Sequence, residues 1–150
     1  MSTPIQNINT IGPSSKNEGD QDNKSQAQKD YEEGRGYVER GESALAAVAL
    51  HNAIKGFEEE GNQEGIANAS NQMGHACLQR EEFEKALENY QRAWNICEKL
   101  EDEMSLRALS TQLVQVYTGM KQYRKAIDTC LDLVGDYQRD NNPQGTVRVL

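Results

Sequence analysis

Residues 74–97 read GHACLQREEFEKALENYQRAWNIC, and this stretch decides the fold. Ala86, Tyr90, Ala93, Trp94 and Cys97 fall at steps that place them along one face of an α-helix. Working outward, the same face recurs at a displacement of 40 residues, with Ala46, Ala86 and Ala126 in one column and Leu50, Tyr90 and Cys130 in another. Ala53, Ala93 and Leu133 form a third column, Ile54, Trp94 and Val134 a fourth, Phe57, Cys97 and Tyr137 a fifth, and Tyr37, Cys77 and Tyr117 a sixth. Gly34 falls on Gly74, with Val114 as the third member. The segments ahead of these helices are helical too: Ile66, Ala69, Met73, Ala76 and Cys77 share a face, as do Leu106, Leu109, Leu113, Val116, Tyr117 and Met120. Each repeat is therefore a pair of helices. Gly61, Asn62 and Gly65 break the chain after the first pair, and Asn141, Asn142, Pro143 and Gly145 break it after the third. Strand patterns are absent from the sequence. The expected fold is all-α, a solenoid of three antiparallel pairs over 27–66, 67–106 and 107–146.

The recurrent small residues have a mechanical purpose, because antiparallel helices approach closely only where neither presents bulk. Composition agrees with an extended stack. Of the 150 residues 36% are apolar, below the roughly 45–50% of ordinary globular chains, a figure that also counts glycine, so the core is thin. The charge sum, 16 basic against 24 acidic residues, is −8. Nucleic-acid affinity comes largely from Lys and Arg displacing counterions, so this balance argues against DNA or RNA as a partner. No membrane-length apolar run and no secretory leader pattern occur, so membrane insertion is not expected. Cys77, Cys97 and Cys130 are an odd set whose spacing fits no zinc pattern, which points to reduced thiols and a cytoplasmic protein. Residues 1–26 read as a disordered polar tail in which Ile5, Ile8 and Ile11 are the only apolar residues after Met1.

Phe83, Glu84, Lys85 and Ala86, followed by Tyr90 and Ala93, together with Gly74 and Cys77 in the preceding helix, resemble the tetratricopeptide repeat. The resemblance covers about residues 27–146, with a repeat of 40 residues where that family usually has 34. It implies a right-handed stack whose first helices line a concave groove that holds an extended peptide or a partner helix. By position, the groove would be lined by Tyr31, Arg35 and Val38, then by Asn68, Asn71, His75, Leu78 and Gln79, then by Thr111, Gln115 and Thr118. Amides dominate this set and offer donors and acceptors together, suited to a peptide backbone. The lysine, arginine and asparagine clamp that some members use for acidic tails is not matched, since Ala108 and Gln112 stand where its third-repeat lysine and arginine belong. With acidic turns at Glu58–Glu60 and Glu81–Glu82, a neutral or basic protein partner is expected rather than an acidic one.

Catalysis needs an activated group within reach of a partner, and the material is sparse. Neither His51 nor His75 has a cysteine or second histidine at chelating helical spacing, and Gly34, Gly36 and Gly41 miss the dinucleotide fingerprint. No enzyme activity, metal or cofactor is expected. The chain ends a few residues into what would be a further helix or a truncated cap at 147–150, which leaves the apolar stripe of the sixth helix without a capping neighbour. Leu131, Val134, Tyr137 and Leu150 are thus candidates for self-association. Three functions follow as expectations: an interaction adaptor, a self-assembling oligomerisation module, or a sensor domain of a larger regulator that binds a signalling peptide.

Overall fold

A computed structural model describes residues 23–139 of the chain; residues 1–22 and 140–150, Leu150 among them, lie outside the described residues. The last residues of the expected 1–26 tail are ordered, with Lys24 paired to Glu32 and Ser25 capping the first helix. Among the described residues there are six α-helices and no strand: α1 (Gln26–Glu39), α2 (Ser43–Glu60), α3 (Gln63–Gln79), α4 (Phe83–Lys99), α5 (Glu103–Gly119) and α6 (Tyr123–Arg139). The pairs begin about four residues ahead of the divisions at 66/67 and 106/107. The difference is one of phase, because Asn62 and Asp102, which precede the apolar periodicity, cap the first helices.

The turns set that phase. A residue of positive φ recurs every 20 positions at Gly41, Gly61, Glu81, Glu101 and Lys121. Each is followed by a residue whose amide donates to a carbonyl five residues back, as in Asn62 to Phe57 (2.9 Å), Asp102 to Cys97 (3.0 Å) and Gln122 to Tyr117 (2.8 Å). This closure of a left-handed terminal residue satisfies carbonyls that the helix end leaves open. The first helices are then capped by side chains: Ser25 accepts from the Gln28 amide, Asn62 from Gly65 and Asp102 from Ser105. The second helices α2 and α4 start at Glu42 and Glu82 without a side-chain cap.

Consecutive helices pack on one another, and α1 also touches α3. The seams are made by trading bulk. A Cβ on Gly74 would lie 2.5 Å from the Tyr90 ring, and one on Gly34 would lie 2.6 Å from Leu50. Between pairs, a Cβ on Gly65 would lie 2.5 Å from the Phe57 ring. The equivalent pair one repeat on is Ser105 with the smaller Cys97. Ala46, Ala53, Ala86 and Ala93 are fully buried, as the columns require. Leu50, Phe57, Tyr90, Leu109 and Val116 fill the space between them.

Candidate functional site

The amide wall expected on the first helices is largely interior. Tyr31 (2% exposed), Val38 (9%), Asn68 (4%) and Asn71 (0%) are buried, so they do not line an open groove. The reason is the position of α3 in mid-stack, where residues 65–72 are buried all round, Ser70 and Gln72 among them. Burial holds the Tyr31 hydroxyl proton well above its ordinary pKa. Leu78 is partly buried against the core. Gln79 is committed to the scaffold, since its Nε2 donates to the Val38 carbonyl (2.9 Å) and ties α3 to α1. Thr111 and Thr118 are exposed, and their hydroxyls donate to the carbonyls of Arg107 and Val114 one turn back. Arg35 is half-buried beside Tyr31, and Gln115 is exposed. Of the eleven expected lining residues, Gln79 is exposed with its amide tied to Val38, and Arg35, Thr111, Gln115 and Thr118 remain an accessible polar strip.

His75 is a structural residue. Its Nδ1 lies 2.7 Å from the Tyr90 hydroxyl and its Nε2 lies 3.3 Å from Asn71 Nδ2. An amide nitrogen donating to Nε2 places the ring proton on Nδ1, so the neutral tautomer satisfies both contacts. Loss of water around the ring lowers its pKa from 6.5 to about 4. The Tyr90 ring stands edge-on to it, 5.6 Å away. His75 and Asn71 therefore fasten α3 to α4.

The open features lie on the other side, between successive second helices. A first groove of about 580 Å³ runs between α2 and α4 over α3, with Ile54, Met73 and Cys77 on its floor. A second, of about 570 Å³, runs between α4 and α6 over α5, with Trp94, Ser110 and Leu113 inside. They are the same groove one repeat apart: His51 corresponds to Gln91, Ile54 to Trp94, Met73 to Leu113 and Asn89 to Thr129. Their charges differ. Lys55, Arg80, Lys85 and Arg92 face Glu58, Glu82 and Glu88 in the first, and Arg80 pairs with Glu82 at 3.4 Å. In the second, Asn95 replaces Lys55 and Asp132 replaces Arg92; its charged residues are Asp132, Asp136 and Arg139, of which the last two pair with each other. These residues were missed in the sequence reading, although the columns that reveal the repeat also carry the signal, a reversal of charge from 92 to 132.

On α6 Leu131 is 60% exposed, Val134 is half-buried, and the side chain of Tyr137 lies outside the described residues. Ile127 (58%) and Tyr123 (56%) extend the exposed stripe one and two turns back. Among the described residues no group of three His, Cys, Asp or Glu could hold a metal ion, and no helix is long and apolar enough to cross a membrane. Cys77 and Cys97 are buried free thiols, and burial raises the pKa of Cys97 to about 12, which keeps it protonated and unreactive.

The family model of the soluble NSF attachment protein, SNAP, matches residues 14–143. That family has a tetratricopeptide-like superhelix; the match is to its model and not to a tetratricopeptide one. No curated protein matches the chain, and no solved structure does.

Proposed function

From the membership of this chain in the soluble NSF attachment protein family, an α-helical family of non-catalytic protein-interaction adaptors, we propose that it attaches one protein to another through the outer grooves of its helical stack. The observation that carries this reading is the repetition of one open groove at a spacing of 40 residues, with equivalent positions re-used and their charges changed. A catalytic cleft is built once, whereas a docking surface is built by repetition. The polar strip of Arg35, Thr111, Gln115 and Thr118 on the first helices supplies a second contact surface. The net charge of −8 suits a neutral or basic protein segment better than an acidic one. The buried free thiols support a reducing, cytoplasmic site of action.

The test is capture by the tagged full chain from an extract of the native host, followed by purification of the retained protein and sedimentation of the two together. The adaptor reading expects a saturable complex of defined stoichiometry. Retention of nothing beyond a tag-only control, or of proteins that fail to bind once purified, contradicts it.

A second reading rests on the exposed stripe of Tyr123, Ile127 and Leu131 at steps of four along α6. In the preceding repeat, Phe83 occupies the place of Tyr123 and is partly covered, packed on Gly119 of the following helix. The stripe is thus shaped to receive another helix, and self-association through Leu131, Val134, Tyr137 and Leu150 is the alternative use of it. Sedimentation of the full chain over a wide concentration range separates the two: an Ile127→Glu chain that stays monomeric where the parent dimerises supports self-association, and a parent that is monomeric throughout removes it.

A further inference from the structure

The two outer grooves share a backbone and differ in chemistry, and the difference points to a ligand. The second groove is lined by Trp94 from α4 and by Asp132 from α6. Arg139 is already engaged by Asp136, so Asp132 is the charge left to act. The floor carries a further polar group: Ser110 is 7% exposed and lines the groove. An indole, a carboxylate and a hydroxyl lining one groove form a set that suits a cation on an apolar stem. Lysine and arginine have that form, laying their methylenes on apolar surface and extending a charged head. Tryptophan is the ring that attracts such a head most strongly.

We propose that the groove between α4 and α6 seats an arginine or lysine side chain of a partner protein, its stem against Trp94 and Leu113 and its charged head at Asp132 and the Ser110 hydroxyl. The assignment rests on the adaptor reading and names the chemistry of one contact in it. Charge complementarity sets the selectivity. At the equivalent places the first groove has Ile54 for Trp94, Lys55 for Asn95 and Arg92 for Asp132, so it lacks the indole and presents two cations where the second groove presents an amide and a carboxylate. A basic side chain is attracted to one groove and repelled by those two positions in the other.

Trp94 is the only tryptophan of the chain, so its fluorescence reports on this groove alone. The experiment titrates the full chain with a short acetylated, amidated peptide carrying one central arginine among leucine and alanine, with the same peptide carrying glutamine, and with spermidine. The arginine peptide is expected to shift the emission saturably and to bind about three- to tenfold more tightly than the glutamine peptide, the range that one exposed ion pair and one cation–indole contact contribute. Asp132→Asn removes that preference, added salt weakens it, and Arg92→Gln in the first groove leaves it intact. Equal binding of the two peptides, an unchanged preference in Asp132→Asn, or a response to spermidine alone overturns the assignment. Circular dichroism of Asp132→Asn, an exposed position, checks that the variant is folded. Whether the chain binds a purified partner at all is read by the capture and sedimentation experiment, so the adaptor reading stands or falls separately.

Discussion

Helices α4 and α6 occupy the same place in consecutive repeats and have the same length, 17 residues. Yet α4 lies between α3 and α5, whereas α6 has α5 as its one substantial packing partner among the described helices. Their apolar residues match: Phe83 with Tyr123, Leu87 with Ile127, Ala86 with Ala126. The first member of each pair is better covered than the second. Burial in this molecule is thus set by the neighbour a helix finds and only secondarily by its own sequence. In a stack held by nearest-neighbour contacts, the same substitution should cost much at α4 and little at α6.

The largest expected effect is Tyr90→Ala on the covered helix. It empties a fully buried site and removes the partner of His75, at about 3–5 kcal/mol in urea unfolding. At the equivalent place on α6, Cys130→Ala should cost less than about 1 kcal/mol; equal losses would break the comparison. Acid comes next. An unfolded histidine titrates near about 6.5 and folded His75 near 4, so between these values the unfolded chain binds the extra proton and stability falls as pH drops. The loss across that window is about 2–3 kcal/mol. His75→Gln should flatten the profile there, and an unaltered profile would show that the imidazole is solvated. Third, Gly74→Ala drives a methyl into the Tyr90 ring and should cost about 1–3 kcal/mol. Gly135→Ala on α6 meets only Arg139 Nη1 at 3.6 Å and should gain up to about 1 kcal/mol from helix propensity. Thermal melts of the two alanine variants should move in opposite directions. The smallest effect is Ile127→Glu, within about 0.5 kcal/mol in the monomer because the residue is 58% exposed. Its counterpart Leu87→Glu buries a carboxylate against the core and should cost several times more.

Fold class, the 40-residue period and the alanine and glycine seams were legible in the sequence, because small and large residues alternate in fixed columns. The 20-residue spacing of the turns was harder to see. Glycine marks it at 41 and 61, but Glu81, Glu101 and Lys121 adopt the same left-handed backbone without glycine. The inner wall was misread for a physical reason. A polar residue on a first helix signals solvent only when nothing covers that face, and Asn68, Asn71 and Gln72 lie where α3 is enclosed on every side. Periodicity could not reveal this, since the covered face carries amides and hydroxyls in place of hydrocarbon. Thr111, Gln115 and Thr118, one repeat later, are exposed, where coverage is thinner. The outer grooves arise from helix spacing, which no single helix encodes, although their change of charge is written in the columns at 55 and 95 and at 92 and 132.

Amide hydrogen exchange on the full chain, followed by mass spectrometry at a concentration where it sediments as a monomer, tests the central claim most directly. The account predicts the slowest exchange in α3 and α4, near the global unfolding limit, with α6 opening separately and exchanging at least tenfold faster. Protection of α6 equal to that of α4, or slow exchange confined to the ends of the stack, would contradict a molecule whose stability comes from helices covered on both sides.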